Sequence, residues 1–304
     1  QPRSRGLGDV YKRQKINNAD MKSYGWEMEL SWRDRIEDFN YGVRFTLADG
    51  QRKVLKYPNE SGDIYSWYNN KLDGTIWGYT TVGIAQTQEE MNAHLANNKP
   101  NWGSNWGAGD IMYADLNGDG EVTSGSKTLN DHGDLKIIGN SYARYNFGFT
   151  VDGSWRGLDF SIFLQGTMKR DYWLDGPYFW GASGDEWQSA CFTEHLDYWT
   201  PEHTNAYYPK PYFGNIKKNQ EVQSGYLQNA AYLRVKNVQV GYTLPKSWTK
   251  KAAMESVRFY VSGDNLLTWT GISSIFDPET LGGDWGPGKL YPLQRTLSVG
   301  VNVN

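Results

Sequence analysis

The strongest pattern in this chain is the alternation of apolar and polar side chains. Residues 26–33 have the sequence WEMELSWR, in which the two kinds of side chain alternate at every position. Residues 39–47 have the sequence FNYGVRFTL and repeat the pattern. Because successive side chains of a β-strand point to opposite faces, this alternation predicts strands with one apolar and one polar face.

Five further segments show the same pattern, so that the sequence predicts about seven strands in all. Phe163 is an exception, because it puts an aromatic ring on the polar face of its strand. Near residues 235–238 the apolar positions change phase, which is typical of a β-bulge. The five further segments lie at residues 145–152, 159–165, 235–242, 257–262 and 297–304.

The lengths of the connections between these segments indicate the fold. Antiparallel strands place every second connection on the same side of the sheet. Large outer-membrane barrels have short turns on the periplasmic side and long loops on the extracellular side. The sequence therefore predicts an all-β antiparallel portion of a transmembrane β-barrel. The connections alternate between short (34–38, 153–157, 244–256) and long (49–142, 167–229, 267–290).

Composition excludes several classes and leaves others open. The mean hydropathy is −0.69 and the net charge is −3, so that neither a transmembrane helix nor a nucleic-acid surface is indicated. Aromatic residues make up 15% of the chain. They fit the core of a soluble β protein, sugar-stacking surfaces, or the aromatic girdle of a membrane barrel. Trp residues near the ends of the predicted strands favour the girdle, namely Trp32, Trp155, Trp248 and Trp269.

One loop has the spacing of a calcium site. Asp115, Asn117 and Asp119 place oxygen donors at positions one, three and five, and Gly120 follows at position six. The carbonyl group of Glu121 would supply the next ligand, so that the loop is a possible calcium site. Position twelve is a serine rather than the bidentate glutamate of an EF-hand. A tight Asx-type turn is therefore the favoured alternative.

The long loops and the polar strand face supply the remaining candidate residues. Trp102, Trp106 and Trp180 are expected to contact a ligand or a partner protein, although packing among the loops themselves explains them equally well. On the polar face, the lumen of the barrel is expected to be lined by charged residues, with a wall that makes no substrate contact as the alternative. These lumen-facing residues are Glu27, Glu29, Arg44, Asp152 and Arg258.

Catalysis is not predicted. Asp277 and Glu279 have the composition of a glycosidase carboxylate pair. However, such pairs arise by chance in a chain with 34 acidic residues. Neither a nucleophile elbow nor a phosphate-binding glycine loop is present. The sequence is therefore interpreted as that of a protein that is not an enzyme.

Several ordered motifs resemble one family. Residues 109–122 (GDIMYADLNGDGEV), 232–245 (YLRVKNVQVGYTLP), 257–269 (VRFYVSGDNLLTW) and 276–279 (FDPE) follow one another in the family's order. They resemble the C-terminal region of the SusC/RagA-type TonB-linked outer-membrane transporters. The resemblance covers roughly residues 15–304. Residues 1–14 (QPRSRGLGDVYKRQ) are expected to be a non-native linker or adapter.

The resemblance implies a function and a set of partners. It implies TonB-dependent import of a large nutrient across the outer membrane, with an oligosaccharide favoured over an oligopeptide. The partners would be a SusD-like surface lipoprotein, the TonB complex acting through an N-terminal part, and outer-membrane lipid. Two departures from the family are expected: its plug and earlier strands are expected to be missing from this chain, and the chain ends on Asn304 rather than on an aromatic residue. Seven strands would then form an incomplete barrel, because large plugged transporters have about 22 strands.

A second function class remains open. The rival is a soluble, secreted glycan-binding β protein with aromatic platforms. Such a protein would need a second layer to cover the apolar strand face, which includes Trp26, Phe39, Phe147 and Leu297. The coverage of that face therefore separates the two classes.

Overall fold

A computed structural model describes residues 17–181, 191–212, 217–282 and 286–304. The expected adapter at residues 1–14 lies outside the described residues. Most of the described chain forms β-strands. In chain order the strands are β1 (Asp20–Ile36), β2 (Phe39–Lys56), β3 (Thr75–Gly78), β4 (Thr81–Ile84), β5 (Lys99–Pro100), β6 (Ile111–Tyr113), β7 (Glu121–Val122), β8 (Lys136–Asn140), β9 (Arg144–Trp155), β10 (Leu158–Lys169), β11 (Asp171–Tyr172), β12 (Gln228–Thr243), β13 (Val257–Gly271) and β14 (Thr296–Val303).

Helices are short and lie in the connections. The hydroxyl of Thr87 accepts a hydrogen bond from the backbone N–H of Glu90, as expected of a helix N-cap. None of the described helices has the length and apolar character needed to cross a bilayer. The helices are α1 (Gln88–Leu95), α2 (Pro177–Trp180), α3 (Lys217–Gln220) and α4 (Lys246–Thr249).

The seven long strands form one antiparallel sheet in the order β1-β2-β9-β10-β12-β13-β14, with β11 added beside β12. Residues that pair directly across antiparallel strands share a face. Apolar residues therefore form continuous rows across the sheet, and polar residues form rows on the opposite side. One apolar row consists of Trp32, Val43, Val151, Ile162, Val238, Gly263 and Leu297. This architecture confirms the predicted antiparallel barrel portion.

The β9–β10 connection shows how the sequence sets a turn. Arg156 and Gly157 both have positive φ angles, of 47° and 92°. Two such residues make a turn whose twist matches that of the flanking strands, and glycine adopts this conformation without steric cost. The hairpin can therefore close within two residues.

Several details of the strands differ from the prediction, among them the expected turn at residues 153–157, which is reduced to Arg156 and Gly157. The expected turn at residues 34–38 is shorter, because β1 runs to Ile36 and β2 starts at Phe39. Trp269 lies within β13 rather than beyond it. The predicted bulge is confirmed, since the register of β12 with β13 shifts between Val235 and Asn237. Phe163 is on the polar face, where it pairs with Thr150 and Asn237.

The buried core lies in the connections rather than under the sheet. Tyr113, Phe179 and Leu174 are fully buried, and the cluster around them draws on several connections. The described parts of connections 57–143, 170–227 and 272–295 are together called the loop layer. Its small sheets pair β3 with β8, β4 with β6 and β5 with β7. The loop layer thus has an interior of its own, at one end of the large sheet.

Candidate functional site

The polar face of the sheet carries all five residues that were expected to face the lumen. Register places Glu27 opposite Ala48, Glu29 opposite Thr46, and Arg44 between Ser31 and Thr150. Asp152 lies opposite Gly42 and Ser161, and Arg258 lies opposite Thr243. The alternation of the strands therefore brings these charges onto one surface. Their contact with a lumen or a substrate stays a prediction.

Four of these five residues form ion pairs with side chains on other strands. Nη2 of Arg44 lies 2.8 Å from a carboxylate oxygen of Glu29. Nε of Arg258 donates to Asp159 at 2.9 Å. Arg33 approaches Asp152 at 3.9 Å. The Arg44–Glu29 pair joins neighbouring strands, where a pair of opposite charges stabilises the register, and each of the other two pairs spans one intervening strand.

The apolar face is exposed within the described part of the chain. Leu297 is 75% exposed and Val299 is 82% exposed. Trp26, on β1, is 48% exposed, whereas Phe39 is half-buried. No described segment forms a second layer over these rows. A contiguous apolar surface that extends across several strands is typical of a region that contacts lipid or another protein.

The three candidate tryptophans of the loops are largely packed inside the loop layer. Trp180 is 7% exposed and lies 4.8 Å, between ring centroids, from Tyr226. Trp102 and Trp106 are partly buried and meet edge to face with centroids 6.5 Å apart. Packing among the loops themselves therefore accounts for most of the Trp180 surface. Ligand contact by the three rings stays a prediction.

The loop layer contains a fully buried ion pair that the sequence pattern did not indicate. Nζ of Lys218 lies 2.6 Å from a carboxylate oxygen of Asp110, and both side chains are fully buried. The same ammonium group lies 4.3 Å from the centre of the Tyr212 ring and donates to the carbonyl oxygen of Asn105. Asp110 and Lys218 are far apart in the chain, so that neither spacing nor periodicity connects them. The pair ties two long connections together.

The candidate calcium loop is held by its own backbone. The carboxylate of Asp115 accepts hydrogen bonds from the N–H groups of Asn117, Gly118 and Gly120. The bond from Gly120 is the main cause that holds the pKa of the Asp115 carboxyl below its usual range. Among the described residues no group of three or more His, Cys, Asp and Glu side chains is arranged to hold a metal ion.

This arrangement fits an Asx-type turn, the alternative to a calcium site. Asp119 accepts from the N–H of Glu121 at 2.8 Å and from the side-chain amide of Asn117 at 2.9 Å. The oxygen donors at positions one, three and five therefore lie in one turn, with two carboxylates among them. Calcium binding by Asp115, Asn117, Asp119 and Glu121 stays a prediction.

The carboxylates of Asp277 and Glu279 are occupied by cations. Arg234 lies 2.8 Å from Asp277 and 2.9 Å from Glu279. A glycosidase needs one carboxylic acid that can give up a proton and one free carboxylate. Two carboxylates locked by the same guanidinium group do not offer that combination. The structure therefore gives no support to a carboxylate pair acting in catalysis.

An open cleft of about 410 Å³ lies where the loop layer meets the ends of β12 and β13. Tyr207 lines it, is 43% exposed, and its hydroxyl accepts a hydrogen bond from Gln228 at 2.9 Å. Glu194 and Asp197 line the same cleft. An aromatic ring beside carboxylates and an amide is a surface suited to polyhydroxylated ligands. The sequence did not indicate this cleft, because its residues come from four separate stretches of the chain.

Comparison with known proteins identifies relatives over most of the chain, although no family model matches. TonB-dependent receptor P3 of Formosa agariphila is 26% identical over 94% of this chain. TonB-dependent receptor SusC of Bacteroides thetaiotaomicron is 22% identical over 94% of this chain. The chain spans 29% and 27% of these two relatives. Both are receptors rather than enzymes, in agreement with the prediction that this chain is not an enzyme.

Solved structures give the same result for the fold. The structure of the RagAB peptide transporter matches with a TM-score of 0.66 at 21% identity, over 94% of this chain and 30% of that one. The RagAB peptide importer in its closed-closed state also matches with a TM-score of 0.66, at 18% identity. The chain thus has the fold of a part of those solved structures. Sequence and structure together confirm the resemblance, and this chain is recognised as similar, over nearly its whole length, to TonB-dependent receptors of the SusC/RagA type.

Proposed function

We propose that this chain forms part of the wall and the extracellular loops of an outer-membrane importer. The observation that carries the proposal is the two-faced sheet, with an uncovered apolar face and a charged polar face. In a bilayer the apolar rows would contact lipid, while the polar rows would line an aqueous interior. The long loop layer would then lie outside the cell, and the short turns would lie in the periplasm.

The cargo of this importer is proposed to be a large nutrient, taken up with energy supplied through the TonB complex. An oligosaccharide is favoured over an oligopeptide. The cleft beside Tyr207, Glu194 and Asp197 supports this choice, because flat rings and hydrogen-bonding groups suit sugars. A SusD-like surface lipoprotein is the proposed partner at the loop layer. Similarity to TonB-dependent receptors, to SusC and to the RagAB peptide transporter supports import in general.

Membrane location is tested first. The native protein is expected in the outer-membrane fraction and is expected to resist extraction at alkaline pH. Recovery in the soluble fraction would instead favour the secreted glycan-binding protein, for which the apolar face must be covered. A known periplasmic protein in the same preparation serves as the control for extraction.

Cargo class is tested separately. A strain that lacks the gene is compared with its parent during growth on single oligosaccharides and on single oligopeptides. A growth defect restricted to an oligosaccharide is expected. A defect restricted to oligopeptides would overturn the choice of cargo but leave the importer proposal intact, whereas a strain without any defect on either class would contradict import of such nutrients.

A further inference from the structure

A partly buried ion-pair cluster lies on the polar face of the sheet. Its members, called here the inner-wall cluster, are Arg234, Lys236, Asp277 and Glu279. The Arg234 side chain is 3% exposed and reaches both carboxylates, at 2.8 and 2.9 Å. Nζ of Lys236 lies 2.9 Å from Glu279. Arg234 also donates to the hydroxyl of Thr268 on the neighbouring strand at 2.8 Å. The cluster therefore joins the wall to residues of another segment.

The β-bulge in β12 explains why two cations face that segment. Arg234 pairs with Gln165 and Thr268, which puts it on the polar face. The extra residue near position 236 shifts the phase, so that Val235 and Val238 both keep to apolar rows. Lys236 and Asn237 can then share the polar side with Arg234. The bulge thus places three polar side chains of β12 close together on the polar face.

The acidic residues belong to the connection between β13 and β14. Of this connection, residues 272–281 are called here the inner segment. The Asp277 carboxylate accepts hydrogen bonds from the N–H of Glu279 and, at 3.4 Å, from the N–H of Leu293. These bonds orient the Asp277–Glu279 turn toward the wall. The inner segment consequently folds back over the polar face.

Apolar contacts hold the inner segment from its other side. Phe276 is 6% exposed and packs against Phe179 in the core of the loop layer. Leu281 is buried in the same core, and its carbonyl oxygen accepts from the Tyr172 hydroxyl at 3.2 Å. The inner segment is therefore anchored both to the wall and to the loop layer. A connection held at two places is a fixed structural element rather than a free loop.

We propose that the inner segment is a fixed constriction, which limits the size of what passes along the polar face. This inference rests on the proposed function, because it takes the polar face as the wall of a passage. The inner-wall cluster holds the segment across the mouth of that passage. Neutralising the acids leaves Arg234 buried without its partners, and the segment is then released from the wall.

The experiment measures how freely a reagent reaches the inner segment. In the complete receptor, Cys191→Ser removes the exposed free thiol of the described chain, and Thr280→Cys provides a thiol in the inner segment. Labelling rates are compared for a small maleimide and for a maleimide carrying a bulky polyethylene glycol chain. In the parent, the bulky reagent is expected to react much more slowly than the small one.

The test variant is Asp277→Asn with Glu279→Gln. The labelling rate of the bulky reagent, divided by that of the small reagent, is expected to rise about tenfold. This rise corresponds to a decrease of about 1.4 kcal/mol in the free energy needed to expose the thiol of Thr280→Cys to the bulky reagent. Glu279→Gln alone leaves the Arg234–Asp277 pair and is expected to give a smaller rise. Because it is the milder change, it still gives a result if the double variant does not fold. Glu60→Gln with Glu202→Gln, two exposed loop acids, is the matched control and is expected to leave the ratio unchanged.

Two outcomes would overturn the constriction. One is a parent in which the bulky and the small reagent label equally fast. The other is a ratio that stays the same in both test variants and in the control. Failure of the proposed function has a different signature. If the protein is not in the outer membrane, neither reagent labels intact cells, whereas the purified receptor still shows the change in ratio.

Discussion

The sheet and the loop layer reverse the usual relation between regularity and burial. The sheet is built from long, regular strands, yet many of its apolar residues are exposed, as Val299 at 82% shows. The loop layer has short strands and turns, yet it contains fully buried side chains such as Tyr113 and Phe179. In this chain, regular hydrogen bonding between strands and the burial of apolar side chains are therefore found in different regions. The sheet depends on its surroundings for burial, and the loop layer provides its own.

The largest expected effect comes from breaking the buried pair of the loop layer. Lys218→Met leaves the Asp110 carboxylate buried without its cation, which is expected to cost about 3–5 kcal/mol. Glu29→Gln on the half-exposed sheet pair with Arg44 is expected to cost about 0–1 kcal/mol. Denaturant unfolding of the purified receptor, followed by tryptophan fluorescence, measures both.

A double variant serves as the control for this comparison. Lys218→Met with Asp110→Leu removes both charges, and it is expected to recover most of the lost stability. If Lys218→Met and Glu29→Gln lowered the free energy of unfolding equally, the buried pair of the loop layer would contribute no more than the half-exposed pair of the sheet.

The second effect tests the sheet. Val299→Arg places a charge in an apolar row, and it is expected to destabilise the protein in a bilayer by about 2–4 kcal/mol if Val299 lies near the bilayer midplane. Ser298→Arg, one position along on the polar face, is the matched control and is expected to have little effect. Unfolding titrations in lipid vesicles provide the measurement. A larger loss for Ser298→Arg than for Val299→Arg would invert the assignment of the two faces.

A smaller effect is expected at helix α1 in the loop layer. Thr87→Ala removes the hydroxyl that caps the N–H of Glu90, at a cost of about 0.5–2 kcal/mol. Hydrogen exchange of residues 88–95 is expected to accelerate, while exchange in the sheet stays the same. Asn92→Ala, within the helix, is the control. Acceleration that spreads through the sheet would show that the two regions unfold together.

The turn at Asp115 is expected to respond to pH. Its folded-state pKa is lowered, mainly by the hydrogen bond from Gly120. The stabilisation is therefore complete above the unfolded pKa, about 3.9, and is lost as the pH falls through the folded value. Hydrogen exchange in residues 115–121, corrected for its intrinsic pH dependence, is expected to accelerate in that acidic window. Asp115→Asn is expected to remove this pH dependence, and a variant that keeps it would rule out Asp115 as its source.

The smallest expected effect is calcium binding at the same turn. Calorimetry of the complete receptor with calcium is expected to give heat that disappears in Asp115→Asn with Asp119→Asn. Magnesium at equal concentration is the control, because it demands a stricter geometry. Absence of heat with the parent protein would leave the Asx-type turn as the whole role of this loop.

Alternation was sufficient to predict the sheet, because a strand with one apolar and one polar face has its pattern imposed at every position. It underestimated the strand lengths. β2 continues to Lys56, beyond the last alternating apolar residue predicted, Leu47. Asp49, Gly50 and Gln51 still pair with β1, although their side chains no longer distinguish two faces. The hydrogen-bonded part of β2 is thus longer than the part in which apolar and polar residues alternate.

The loop layer was not predictable in the same way. The partners Asp110 and Lys218, and likewise Arg234 and Asp277, are distant in sequence and follow no period. Trp180 shows the consequence, since its residue type fits a ligand platform, a partner anchor and a buried core equally well. Only the packing around it, with Phe179 and Tyr226, distinguishes these roles. Long-range contacts without periodicity carry no local signal.

The alternation of short and long connections has a consequence for how the sheet assembles. β1 with β2, β9 with β10, and β12 with β13 are neighbours joined by short connections. Each pair can form as a hairpin with little loss of chain entropy. Joining one hairpin to the next requires closure of a connection as long as residues 57–143, although this cost grows only slowly with length. Folding rate is therefore expected to be set by the docking of three preformed hairpins, and not by the formation of any one of them.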